Sequence, residues 1–199
     1  QPPQNPNIPS LKETVDFAKR KGIPSLADAC SQIYPLEYFR KNAQSADLVS
    51  FGGKYFGGPH SSGFVCGKAD LIEAISFQSF VAFHYDGSKA VGRAMKIDRH
   101  EIAGLVAGIE DWFTMNHEER ILGYETRFQT FERILNDHPS VITERIQSFH
   151  YIPYYLKIHI DSQALGISSH DIKVKLDSGN PRIWVEDIDH DTIGISIHT

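Results

Sequence analysis

Apolar and polar positions follow two rhythms along this chain, a helical repeat and runs of strand length, and their order predicts the elements. Ser10 with Glu13 three residues later is a capping-box pair, Val15 and Ala18 continue the helix, and Gly22 closes it. The run from Ile23 reads as a strand that ends in the carboxylate of Asp28. Leu36 to Gln44 predicts a short helix, Asp47 to Phe51 a strand, Gly63 to Gly67 another strand and Ala69 to Phe80 a helix. Asp98 and Glu101 suggest a second capping box, for a helix from Arg99 to Thr114. Strand and helix signals that alternate in this way imply an α/β fold with a mostly parallel sheet.

The rhythm changes near Asn116. A long helix is expected there, with Glu119 at the capping-box position and Ile121, Tyr124, Phe128, Phe131 and Leu135 on its apolar face. His138-Pro139 ends it, because the residue before a proline disfavours the α region. Beyond lie strand signals around Val141 to Gln147, Tyr154 to Ile160, Ile183 to Val185 and Ile193 to Ile197, with one helix from Ser169 to Asp177. The expected organisation is part of a large domain over 1–115, then a linker helix and a small α+β domain over 116–199. No internal repeat or low-complexity segment interrupts it.

The chemistry centres on Lys54, which follows the strand to Phe51 and stands between Gly52-Gly53 and Gly57-Gly58. A lysine near its ordinary pKa of about 10.4 is almost wholly protonated at neutral pH, so one that attacks an aldehyde must be desolvated or placed beside cations. The flanking glycines allow close approach of the backbone to a planar group and positive φ. In open α/β sheets, ligands bind at the carboxyl ends of the strands, so Asp28 and Lys54 can share one cleft. Pyridoxal phosphate asks for such a pair: a lysine for its aldehyde, and an anion that keeps its ring nitrogen protonated.

The run Asp47-Leu48-Val49-Ser50-Phe51-Gly52-Gly53-Lys54, then Gly57-Gly58-Pro59, Gly63, Gly67 and Asp70-Leu71-Ile72-Glu73-Ala74, is similar to the fold-type-I pyridoxal-phosphate enzymes related to bacterial selenocysteine synthase and D-glucosaminate-6-phosphate ammonia-lyase. The resemblance extends upstream through Asp28-Ala29 and downstream through Gly92-Arg93-Ala94-Met95-Lys96, and past about residue 140 it is confined to Gly179-Asn180-Pro181-Arg182-Ile183. It implies an aspartate-aminotransferase-like large domain followed by a small domain that closes over the substrate. It implies Lys54 as the Schiff-base lysine, Asp28 as the partner of the pyridinium nitrogen, and Ser50 and Gly58 in cofactor binding. Arg93 and Arg182 are candidates to grip a substrate carboxylate or phosphate, which a guanidinium does with two parallel hydrogen bonds. The resemblance also implies a homodimer or higher oligomer, with the Gly57-Gly58-Pro59-His60 loop near the partner subunit and its cofactor phosphate.

The departures from the pattern are specific. These relatives usually carry a serine three residues before the lysine, where this chain has Phe51 and its serine, Ser50, lies one position earlier. His60 stands where a glutamine is usual. The phosphate-binding turn of such enzymes belongs to an earlier half that precedes these residues, so the chain reads as the later part of an enzyme or an incomplete copy.

Composition narrows the function classes. With 199 residues and 41% hydrophobic content the chain can bury a sizeable core. Its 20 basic and 25 acidic residues give a formal charge of −5, which offers no broad footprint for nucleic acid and disfavours transfer onto seryl-tRNA. Cys30 and Cys66 form no Cys-x-x-Cys pair and read as packing residues. No apolar run reaches the ~18 residues of a membrane span, and the N-terminus lacks the basic and apolar regions of a signal peptide, so the cytoplasm is the expected location. His117-Glu118-Glu119-Arg120 is not the His-Glu-x-x-His zinc motif because position 121 is isoleucine, and the ten histidines show no metal-ligand spacing. Gly52-Gly53-Lys54 is no phosphate-binding P-loop, since Tyr55 replaces the Ser/Thr. Asp187-Ile188-Asp189-His190-Asp191 reads as a hairpin turn. The expected activity is a pyridoxal-phosphate-dependent lyase or transferase that takes an α-proton from an amino acid or amino sugar acid and eliminates a β-substituent. The alternative is a catalytically silent scaffold that acts by association.

Overall fold

The structure, a computed structural model, describes residues 7–82, 89–147 and 153–196. It comprises two compact units, Gln1–Met115 and Asn116–Thr199.

In the first unit, α1 (Leu11–Arg20) begins at the Ser10–Glu13 capping box and ends at Gly22, whose φ of 66° is the left-handed turn the sequence anticipates. A three-stranded sheet follows in the order β1 (Leu26–Asp28), β2 (Leu48–Gly52), β3 (Gly63–Gly67). β1 reaches β2 through α2 (Leu36–Ala43), a connection long enough for a crossover, and the two strands are parallel. The link between β2 and β3 is too short for that, and they pair antiparallel. The described part of the sheet thus holds one pairing of each kind.

One face of this sheet carries the core. Ala27, Val49 and Phe51, with Phe64 and Cys66 of β3, pack with Phe56 and with Trp112 of α4 (Arg99–Thr114). The rings of Phe39, Phe51, Phe56, Phe64 and Trp112 meet at centroid separations of 4.8–6.5 Å, mostly in the tilted and edge arrangements that aromatic quadrupoles favour. The opposite face carries Leu26, Asp28, Ser50 and Val65, and Leu26 there is 64% exposed. α3 (Ala69–Gln78) borders that face.

Helix α4 does not start from the capping box that Asp98 and Glu101 suggest. Asp98 makes no side-chain cap, and the Glu101 carboxylate accepts a hydrogen bond from the Ser61 hydroxyl, forty residues away in sequence. That contact ties the helix start to the loop between β2 and β3. Gly104 and Gly108 bring the helix backbone down onto the same loop: a Cβ at Gly104 would stand 2.9 Å from Pro59 Cγ, and one at Gly108 2.9 Å from the backbone oxygen of Phe56.

The second unit is a four-stranded antiparallel sheet in the order β4 (Val141–Gln147), β5 (Pro153–Ile160), β7 (Thr192–Ser196), β6 (Glu186–Asp189). α5 (His117–Leu135), the four-residue α6 (Ser162–Leu165) and α7 (Ser169–Asp177) complete it. Phe128 of α5 is fully buried among Leu156, Ile158, Ile160, Val185 and Ile193. The apolar face of α5 is narrower than its spacing predicts, for Phe131 is 40% exposed. The strand expected at Ile183 to Val185 is displaced to Glu186–Asp189, because the Ile183 N–H donates to the Leu176 carbonyl at the end of α7 instead of entering a ladder. β6 and β7 form the hairpin read from the aspartate run, turned at His190 and Asp191. The final strand signal reaches Ile197, which lies outside the described residues.

Candidate functional site

The parallel pairing of β1 with β2 places Asp28 directly beside Ser50. The ladder runs one step past the strand ends: the Ala29 N–H donates to the Ser50 carbonyl and the Gly52 N–H to the Cys30 carbonyl, each at 3.0 Å. Alternation along both strands therefore sets Asp28 and Cys30, with Ser50 and Gly52, on the open face. The carboxylate of Asp28 is exposed, and its Oδ1 accepts the Cys30 N–H at 2.9 Å, an i to i+2 bond that fixes the side chain at the strand end. Phe51 points the other way, into the core, at 3% exposure. The hydroxyl in this segment is thus the one on the Asp28 side of the sheet.

Lys54 lies just beyond β2, in a 3₁₀ turn from Gly53 to Phe56. It is exposed, and its Nζ stands 5.0 Å from the centroid of the Tyr55 ring. Among the described residues it has no salt-bridge partner. The turn itself is held firmly. Gly53 is buried, its N–H donates to the Ser62 carbonyl at 2.8 Å, and a Cβ there would overlap the Ser62 hydroxyl and stand 2.8 Å from Leu105. Phe56, at 1% exposure, anchors the far end in the aromatic core. Of the four glycines around Lys54, Gly57 alone has positive φ, at 82°; the others serve close packing. Gly58 directs its N–H to the Gly53 carbonyl at 3.0 Å and its α-carbon toward Leu105 of α4.

At Gly52 a Cβ would stand 3.0 Å from Cys30 Sγ and 3.1 Å from the Tyr55 ring. The side-chain-free position thus forms a floor between a thiol and an aromatic ring, one row beyond Asp28 and Ser50. Cys30 is exposed, against the expectation that it packs, while Cys66 lies against the core and burial pushes its thiol pKa up. Ser50 also borders a cleft of about 480 Å³ between the sheet and α3, lined by Val65, Ile72, Ile75, Ser76 and Ser79 among others.

The two arginines are placed differently. Arg93 is exposed in a 3₁₀ turn, Val91–Ala94, which packs onto the end of α3 where a Cβ at Gly92 would stand 2.5 Å from the Gln78 carbonyl. Arg182 belongs to the second unit, where its Nε donates to Asp177 Oδ1 at 2.6 Å, and that carboxylate raises the guanidinium pKa. Asp47 is a structural clamp. Lys68, and then the Ser25 N–H and hydroxyl, hold its carboxyl far below the usual range and tie the β1 and β3 ends together. Tyr55 and the pair Gly104 and Gly108 escape a motif search. The four-residue spacing of the two glycines on α4 is the signal that could have found them.

No family model matches the chain. It is 27% identical over 179 residues to a 5'-C-glycyluridine monooxygenase-decarboxylase of Streptomyces sp, a match that covers 89% of this chain and 42% of the relative. It is 24% identical over 179 residues to the D-glucosaminate-6-phosphate ammonia lyase of Salmonella typhimurium (strain 14028s / SGSC 2262), covering 88% and 43%. A solved structure of D-glucosaminate-6-phosphate ammonia-lyase superposes with a TM-score of 0.70 at 20% identity, over 95% of this chain and 48% of that one. The fold is of fold type I. The SepCysS subunit in a complex with the SepCysE N-terminal domain agrees with it at a TM-score of 0.52 and 14% identity, over 96% and 51% of the two chains. The resemblance carried by Asp28, Lys54 and the surrounding glycines thus leads to a relative that both the sequence and the structure comparisons find. The chain spans less than half the length of the curated relatives it matches. Among the described residues, no helix is long and apolar enough to cross a membrane, and no three His, Cys, Asp or Glu side chains gather as a metal site.

Proposed function

We propose that these residues form part of a pyridoxal-phosphate-dependent lyase or transferase that acts on an α-amino acid joined to a sugar framework. One observation carries the reading: Asp28 and Ser50 lie side by side at the ends of parallel strands, and Lys54 follows in the rigid turn directly after β2. Lys54 would hold the cofactor through its aldehyde carbon, and Asp28 would accept the hydrogen bond of its ring nitrogen. Bound there, pyridoxal phosphate supplies an electron sink for the charge left when a substrate α-proton departs. The donor set fits, with an exposed carboxylate, a hydroxyl beside it on the neighbouring strand, an exposed amine in the turn that follows, and a bare floor at Gly52.

The roles of the residues follow from their chemistry. Lys54 Nζ, once free, would take the substrate α-proton as general base. Loss of a β-hydroxyl, which leaves with a proton as water, and hydrolysis of the resulting imine by water would then give ammonia and a keto acid. The names of the two relatives support the substrate class, since glucosaminate and glycyluridine are both 2-amino acids built on a sugar. They differ in the bond broken, so the products decide the reaction. Released ammonia and keto acid from serine-like and sugar-acid substrates support elimination; transamination, or carbon dioxide without ammonia, overturns it. The cofactor assignment has its own test: visible absorbance after addition of pyridoxal phosphate, and a borohydride-fixed adduct that peptide mapping places on Lys54 and that K54A abolishes.

A second reading rests on Gly58, whose N–H is already committed to Gly53 and so is closed to a phosphate. A silent scaffold that acts by association accommodates that fact, and the absence of any fixed adduct at Lys54 selects it. Assembly as a homodimer or higher oligomer belongs to both readings, motivated by the open sheet face with Leu26 64% exposed. A monomer in light scattering at all concentrations would count against it. Recognition of seryl-tRNA would instead reveal itself as tight binding that weakens steeply with salt.

A further inference from the structure

Tyr55 touches both the core and the amine. Its ring lies against the bare α-carbon of Gly52, where a Cβ would stand 3.1 Å from Cδ2 and 3.2 Å from Cε2, and it packs on the cluster that contains Val49, Phe51 and Phe56. The same ring holds Lys54 Nζ at 5.0 Å from its centroid, within the ~6 Å reach of a cation–π contact. A lysine side chain is otherwise a flexible four-carbon stem whose charged end wanders through solvent. A ring fixed by the core narrows that wandering to one place, over the ring that lies against Gly52 at the end of β2.

We propose that Tyr55 is a positioning residue: its ring face is the rest on which the Lys54 ammonium docks whenever the lysine is not bonded to a cofactor. The catalytic part of this inference rests on the function proposed above. When Lys54 takes the α-proton, the C–H bond breaks, its electron pair stays with the substrate, and the proton forms an N–H bond on Nζ. The positive charge so created is the charge the ring face attracts. The docking part concerns the free lysine and needs no cofactor. Because the attraction comes from the ring quadrupole, the phenol oxygen is dispensable for it.

The two parts are tested separately on the full chain. Reductive methylation of the cofactor-free protein with ¹³C-labelled formaldehyde keeps each lysine charged and gives it a methyl resonance, and K54R identifies the Lys54 signal. A ring-current upfield displacement of that signal is expected in the native protein and in Y55F, and its loss in Y55L. G52A is a second perturbation that leaves Tyr55 in place: its new Cβ crowds the ring at 3.1 Å and should move the same resonance. A Lys54 signal that is undisplaced, or that stays the same in Y55L, overturns the dock. On the loaded protein, exchange of the substrate α-proton with solvent deuterium should slow about two- to five-fold in Y55L, the worth of an exposed cation–π contact, and Y55F should restore it. Unchanged exchange in Y55L overturns the catalytic part. A displaced Lys54 signal in a protein that forms no adduct with pyridoxal phosphate sinks the proposed function and leaves the dock standing.

Discussion

The same substitution at two helical glycines should have opposite effects. Alanine is favoured over glycine inside a helix by about 0.5–1 kcal/mol, because glycine has more backbone freedom to lose. Gly123, in α5, has nothing within 4 Å of the position a Cβ would take, so G123A should gain that amount. Gly108, in α4, meets three backbone atoms of the Lys54 loop there: Gly58 N at 2.9 Å, Phe56 O at 2.9 Å and Gly57 C at 3.2 Å. Backbone cannot swing aside as a flexible side chain can, so helix and loop must part by about half an ångström to restore contact distances of ~3.5 Å. Forcing extra volume into a packed site costs about 1–3 kcal/mol, which exceeds the propensity gain. G108A should therefore be less stable than G123A by about 1–3 kcal/mol. Denaturant unfolding of each variant against the parent reads this, followed by tryptophan fluorescence for G108A, since Trp112 sits in the affected core, and by circular dichroism for G123A, which lies in the second unit. The loop displacement should also slow borohydride-trapped attachment of pyridoxal phosphate to Lys54 in G108A and leave it unchanged in G123A. If G108A proves as stable as G123A, α4 does not rest on the loop and the account of how Lys54 is held fails.

Three further outcomes follow from the packing and the titrating groups. F56A removes a ring that is 1% exposed and should destabilise by about 3–5 kcal/mol in the same unfolding assay, with loss of the Lys54 turn. Asp47 has a carboxyl held below its ordinary value by Lys68 and Ser25, so its contribution is complete above about pH 4 and is lost as the pH falls further; acid unfolding should shift less with pH in D47N. Tyr155 is pushed up to about 12 by burial and by its hydrogen bond to Glu186. The raised phenol stabilises the second unit fully below about pH 10, an effect lost as the pH rises from there toward 12, and Y155F should remove that part of the alkaline dependence in circular dichroism.

Local chemistry and distant contacts account for different parts of this fold. The capping box at Ser10 and Glu13 and the bounds of α7 were legible because each depends on residues one turn apart. Asp98 with Glu101 carries the same signature and fails, because Ser61 competes for the Glu101 carboxylate from another segment. The α5 repeat placed Phe128 correctly in the core, yet Phe131 lies 40% exposed, since the spacing marks an apolar stripe and only the opposing surface decides its width. The strand at Ile183 to Val185 was misplaced for a similar reason: its β-prone residues were visible, but the ladder partner Gly194 pairs with Glu186.

The candidate site divides the same way. By itself the amino-acid sequence determined that an aspartate ends one strand and a lysine follows another between glycine pairs, because strand ends and turns are written in residues a few positions apart. The tertiary structure alone decided that Asp28 stands beside Ser50 and that Phe51 faces the core, since side chains alternate with a period of two and only the register with a neighbouring strand chooses the face. It likewise decided that Gly104 and Gly108 exist for a loop some fifty residues earlier and that Tyr55 spans the distance from core to amine. Close approach is a property of two surfaces, and a single stretch of chain records only one of them.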